Sequence, residues 1–166
     1  MEKLLKIIEE EKIMLKYMDF SVFPEAINGL YLYEPDIGPV IVLGSHLQRS
    51  QRLFNCVLAE EIGHFYTVPR GNLLMAYKSG NLKAINSQDE HKAMRWATDF
   101  LIPDTELSYA LAAGCHSCFD LAEYFNVTEW FMVKKLDLVS LDSGRLSAIA
   151  CCREPDSIPL QRNTVN

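Results

Sequence analysis

The chain reads as an α+β fold: one mainly helical domain with a small β-hairpin or sheet and a helical C-terminal part. Three observations carry that expectation. Helical apolar spacing recurs over 2–18, 50–66, 88–101, 104–113 and 121–136. β-like patterning is confined to 28–43, where two apolar runs flank Pro/Gly turn chemistry. The length of 166 residues with 49% hydrophobic content suits a single core.

The first helix follows from Leu4, Leu5, Ile8, Ile13 and Leu15, which repeat between charges over 2–18. Its acids match its lysines, so it reads as a docking or core element and not as a membrane-surface helix. Asn28-Gly-Leu-Tyr-Leu-Tyr33 and Pro39-Val-Ile-Val-Leu43, joined by a Pro-Asp-Ile-Gly turn at 35–38, read as a hairpin. Ser50 caps a helix running to about Tyr66, and Pro69, Gly71 and Asn72 break the chain after it. Residues 72–88 carry no clear pattern. A helix follows at about 88–101, Pro103 restarts the chain, and 104–113 is helical up to Gly114. Residues 121–136 read as two short helices around a turn at Asn126. Periodicity is lost from Ser140 onward, so 1–139 is expected as the domain and 140–166 as an irregular or disordered tail.

Charge and composition exclude several classes. A net charge of −6 disfavours broad binding to nucleic-acid phosphates. No uncharged apolar run reaches membrane-spanning length, and the charged N-terminus is not a signal peptide. Five cysteines in no regular framework suit a reducing cytoplasm. Cys115-His-Ser-Cys118 and Cys151-Cys152 lack the spacing of a zinc ribbon, and Cys56 reads as an apolar filler. The pair of helices at 121–136 has a helix-turn-helix pattern. Its second helix offers Glu129, Trp130, Phe131 and Met132 where a DNA reader places polar and basic groups, so packing or partner contact is expected.

The chemistry concentrates in the helix after Ser50. Glu60 and His64, four residues apart, share a row with Leu53, Cys56 and Val57. Glu61 lies in the neighbouring row with Phe54, Leu58 and Phe65, also apolar. Buried carboxylates and imidazoles are costly unless paired, hydrogen-bonded or bound to a metal. Glu60-Glu61-x-x-His64 is one residue away from His-Glu-x-x-His, the spacing that holds zinc with a glutamate base beside it. A catalytic zinc needs about three protein ligands and an open position. The helix at 88–101 offers Glu90, on a face with Ala93, Met94, Ala97 and Leu101, or His91, in a row with Arg95 and Thr98.

Glu60-Glu-Ile-Gly-His64, followed by Glu90-His-Lys-Ala-Met-Arg-Trp-Ala-Thr-Asp-Phe-Leu-Ile-Pro103, resembles the ImmA/IrrE metallopeptidase family. The resemblance runs from about Gly29 to Leu136 and implies a zincin-like domain with Zn2+ as cofactor. Carried over by position, it implies His64 and Glu90 as metal ligands and Glu61 as the base. Glu60 stands where the family has its first histidine, so Glu60 and His91 compete to complete the site. The resemblance further implies a zinc-dependent endopeptidase acting on a helix-turn-helix repressor of a prophage or mobile element. A non-catalytic scaffold that binds such a regulator is the alternative. Tyr77 and His46 are candidate oxyanion donors.

Overall fold

A computed structural model describes residues 1–22, 27–68 and 87–151. Its elements are α1 (Glu2–Glu10), β1 (Met14–Met18), a 3-10 turn (Phe20–Val22), β2 (Gly29–Glu34), β3 (Gly38–Gly44) and a second 3-10 turn (Ser45–Arg49). Then follow α2 (Gln51–Thr67), α3 (Ser87–Leu101), α4 (Asp104–Ala112), α5 (Cys118–Phe125), α6 (Glu129–Ser140) and α7 (Ser143–Cys151). The architecture is α+β, mostly helical with one three-stranded sheet of order β1-β3-β2.

The continuous apolar run of β3 is explained by cover on both faces. Ile41 and Leu43 join the main core with Tyr31 of β2, while Val40 and Val42 join a smaller cluster with Phe20 and Leu32. β2 pairs antiparallel with β3 (Tyr31 opposite Ile41), as the hairpin reading expects. β1 pairs parallel with β3, Leu15 opposite Ile41. This corrects the expectation of one helix over 2–18. Lys12 turns into the left-handed region at φ 54°, ending α1, and Met14–Met18 takes up strand pairing. The pairing lies 26 residues away in sequence at its first partner (Met14 to Val40, 40 − 14), so no local pattern announces it.

α2 is the central helix, buried along almost all of residues 54–64. Ser50 caps it by accepting from the Leu53 N–H. α3 packs along it at short range, because Gly63 presents no side chain to the Ala93 carbonyl. A Cβ built at Gly63 would sit 2.4 Å from the Ala93 oxygen. Ala59, Ala93 and Ala97 keep the seam narrow, and aromatic contacts run alongside it, from Tyr66 to Trp96 and from Trp96 to Phe100, each 5.0 Å between ring centres.

The C-terminal helices close the other side. Ser117 and Asp120 form a capping box on α5, Asn126 ends it in the left-handed conformation, and Thr128 caps α6. Arg52 of α2 reaches both Asn126 and Glu123, fixing this pair of helices to the central one. Cys56 is buried against Thr128, whose N–H and hydroxyl point to its sulfur. Cys115 and Cys118 are free thiols.

The expectation of an irregular chain from 140 is corrected for 143–151, which is helical. Docking of α7 combines an ionic clamp with burial of Ile149 in the main core. The Arg145 guanidinium donates to Asp104 (2.7 Å) and Asp99 (2.5 Å), and the fully buried Lys135 ammonium donates to the same two carboxylates at 2.6 and 2.7 Å. The Arg145 and Lys135 contacts hold the Asp104 carboxyl down at about 2. Such a clamp leaves little apolar period to read in the sequence. Residues 152–166, and the unpatterned stretch 72–86, lie outside the described residues.

Gly63→Ala should force α2 and α3 apart. Although alanine is the better helix former, urea unfolding should show a loss of roughly 1–3 kcal/mol from overpacking. Unchanged or raised stability would mean that the seam has slack.

Candidate metal centre

The close α2–α3 seam sets the site. Glu60 and His64 rise one turn apart on α2, and Glu90 comes from the first turn of α3. One ligand atom from each of these three residues lies within 4.8 Å of the other two. His64 Nε2 and Glu90 Oε2 are 3.4 Å apart. His64 is only 4% exposed, whereas Glu60 and Glu90 are half-buried and open toward a cleft. His91, one residue further on α3, is exposed and lines that cleft outside the three-residue group.

Glu61, one residue on from Glu60 in α2, packs against the sheet and lies close enough to the group to feel the charges of His64, Glu60 and Glu90. It is 6% exposed and accepts a hydrogen bond from the Tyr31 backbone N–H of β2. Gly29 makes the space: a Cβ there would meet the Glu61 carboxylate at 2.5 Å and the Val57 side chain at 2.8 Å. The second oxygen, Oε2, has no hydrogen-bond partner among the described residues. A buried carboxylate oxygen left unpaired is costly and calls for a proton, a water or a cation.

The electrostatics agree. Burial pushes the Glu61 carboxyl up to about 8, with the negative charges of Glu60 and Glu90 adding to it and His64 opposing. Burial likewise lifts Glu60 to about 7, and Glu90 adds to that, while His64 and Lys134 pull it down. For His64 burial works against the charged form, but the Glu90 hydrogen bond and the three carboxylates outweigh it and raise the imidazole. Three acids and one imidazole crowd a small volume, and burial makes Glu60 and Glu61 hold their protons more tightly than exposed glutamates do. A divalent cation would displace those protons and balance the charge.

Of the two oxyanion candidates, His46 hydrogen-bonds through Nε2 to Asn28 Oδ1 (3.1 Å) at the start of β2, and Tyr77 lies outside the described residues. Sequence reasoning missed the two glycines and the far wall of the cleft. Gly63 carries a readable signal, since a glycine inside a helix costs about 1 kcal/mol against alanine and needs a packing reason. The cleft wall formed by Trp130, Lys134, Asp137 and Leu138 of α6 carries none, because it depends on how α6 docks.

A carboxylate–imidazole–carboxylate group on two packed helices, with a buried glutamate beside it, is a donor set that a divalent cation would fit. The comparison with known families agrees: the chain belongs to the family of the IrrE N-terminal-like domain (Peptidase_M78), whose model matches residues 8–137. No curated protein and no solved structure gives a significant match. No helix among the described residues is long and apolar enough to cross a membrane.

The raised Glu61 carboxyl gives a sign to the pH dependence of folding. Its pKa is near 4.5 unfolded and about 8 folded, so between these the folded state holds the extra proton. The stability from this group is fully present below about 4.5 and is lost as pH rises through about 8. In chelator-treated protein, Glu61→Gln should therefore melt at nearly the wild-type temperature at pH 4.5. It should melt increasingly above wild type toward pH 8.5, and a gap that stays constant with pH would contradict the burial argument.

Proposed function

We propose that the protein is a zinc-dependent endopeptidase in which Glu60, His64 and Glu90 hold the ion and Glu61 is the general base. The observation that carries this reading is the convergence of the three donors from two helices. Ligands around a tetrahedral zinc, at bonds of about 2.1 Å, stand about 3.4 Å apart. His64 Nε2 and Glu90 Oε2 have that separation. Three protein donors leave a fourth position open toward the cleft, the arrangement of catalytic rather than structural sites. Glu60 is preferred to His91 as the third ligand because its carboxylate belongs to the converging group.

Zinc held there would supply a Lewis acid that acidifies water and polarises the scissile carbonyl. The chain's own part is proton handling. Glu61 is packed beside the site with one oxygen anchored by the Tyr31 N–H and the other without a partner among the described residues. That free oxygen accepts the proton of the attacking water and returns it to the leaving amine. A base whose pKa lies near working pH does both steps well. Two carboxylate ligands neutralise more of the ion's charge than two imidazoles, so turnover is slow.

The substrate is a helix-turn-helix repressor of a prophage or mobile element, met in the cytoplasm. This part rests on the family resemblance alone. A second reading, a non-catalytic scaffold binding the same regulator, draws on Glu60 standing in place of histidine: a carboxyl lifted to about 7 must lose a proton before it can ligate.

Metal content, cleavage and metal affinity test the reading. Glu61→Gln should keep one zinc per chain by elemental analysis while cleavage falls by a factor on the order of 10²–10⁴. His64→Ala should lose both zinc and cleavage. Full cleavage by Glu61→Gln removes Glu61 as base, and zinc-free wild type with unchanged regulator binding selects the scaffold reading. Zinc affinity, measured by competition with a chelator, should strengthen as pH rises from 6 to 8 while Glu60 and Glu61 shed their protons. A pH-independent affinity would contradict Glu60 as ligand.

A further inference from the structure

The open side of the metal centre is a cleft of about 420 Å³, within the range of roughly 300–1,000 Å³ common to ligand pockets. Glu60, Glu90 and His91 line it on the side of the candidate metal centre. Its far wall comes from α6 and the residue beyond it: Trp130, Lys134, Leu138 and Leu141, with Met94 of α3 beneath. Met94 and Leu138 are buried, while Trp130 is 47% exposed and Leu141 is 78% exposed. The cleft therefore has a buried apolar floor and a rim of large apolar side chains held in water. Single exposed apolar residues need no explanation, but two on the rim of a cleft that opens from an acid–imidazole cluster do.

We propose that this cleft is the specificity subsite of the peptidase, that it takes a bulky apolar side chain next to the scissile bond, and that Trp130 is its specificity-determining residue. The inference rests on the endopeptidase reading for the location of the scissile bond. It commits the occupant to an extended peptide segment for two reasons. The cleft is continuous with the candidate metal centre, so a main chain lying across the centre delivers a neighbouring side chain into it. The lining is also selective: with a cation on Glu60 and Glu90, the charges left among the described lining residues are Asp137 and Lys134, which offset each other. An acidic side chain would lose its hydration against Met94, Trp130 and Leu138 with no net positive charge to meet it. An aliphatic or aromatic side chain gains contact with Trp130, Met94 and Leu138 and crosses no unpaired charge. α6, the second helix of the helix-turn-helix-like pair, thereby acquires a role other than reading bases: it reads the substrate.

The test uses the full chain loaded with zinc and a set of fluorogenic peptides identical except for one residue beside the cleaved bond: Leu, Phe, Ser or Asp. Wild type should prefer Leu and Phe over Ser by a factor on the order of 10–100 in kcat/KM, with Asp the poorest. In Trp130→Ala and Leu141→Ser that preference should shrink to a few-fold, chiefly through KM, with zinc content and melting temperature near wild type. Equal rates on all four peptides, or a preference that survives both substitutions, overturns the proposal. Binding separates its failure from that of the catalytic reading. Zinc-loaded Glu61→Gln should bind the labelled Leu peptide more tightly than the Ser peptide, and Trp130→Ala in that background should erase the difference. If wild type cleaves no peptide but this binding difference holds, the endopeptidase reading falls and the subsite stands. If cleavage occurs and the binding difference is absent, the subsite falls alone.

Discussion

Two helices can bring a carboxylate to an imidazole only as closely as their backbones allow, and in this protein that limit is set at one point. Gly63 faces the Ala93 carbonyl with no room for a methyl group between them. From that contact the rest of the centre follows by helical geometry. His64 is the next residue on α2, and Glu90 is one turn before Ala93 on α3, so a close approach at 63 and 93 delivers both side chains to one volume. Glu60 joins them because it lies one turn below His64. A wider seam would leave three solvated or buried charges with nothing in common.

The same closeness creates the electrostatic conflict that gives the site its character. Glu60, Glu61 and Glu90 repel one another, and burial penalises the ionised form of the first two. The protein makes room for the conflict at Gly29, whose missing side chain admits the Glu61 carboxylate against the edge of the sheet. Space given up in a core has a reason. In this case the second Glu61 oxygen is held in the core without a hydrogen-bond partner among the described residues. A second ionic cluster, Lys135 and Arg145 with Asp99 and Asp104, shows the opposite solution. There the charges are matched and short-ranged, and they lock α7 and α6 to the end of α3 and the start of α4. α6 also walls the cleft, so this lock steadies the surface that faces the candidate centre.

Much of this was legible in the residues, for identifiable reasons. Hairpin and helices declared themselves by period and by caps: Ser50, the Pro-Asp-Ile-Gly turn, Gly114 and Asn126 stand at or beside the ends that they predict. Glu60, Glu61 and His64 stood out because polar groups sat in apolar rows, a contradiction visible without coordinates. Glu90 stood out by its face on α3. What stayed hidden was non-local. β1 exists because Met14–Met18 finds β3, and α7 docks where Arg145 finds two carboxylates 41 and 46 residues earlier in the chain and Ile149 enters the core. Neither event leaves a local pattern. The choice between Glu60 and His91 was open for a related reason, since it turns on which side of α3 meets α2. In the fold His91 lies at the cleft surface and Glu90 against His64.

The central claim is that these side chains share one cation. Anomalous diffraction at the zinc absorption edge, on crystals grown with equimolar zinc, tests it most directly. The account predicts a single strong peak about 2.0–2.2 Å from a carboxylate oxygen of Glu60, His64 Nε2 and a carboxylate oxygen of Glu90, with His91 turned to solvent. A map with no peak there and the His64–Glu90 hydrogen bond still in place, or a peak bound by His91 and not Glu60, would contradict it.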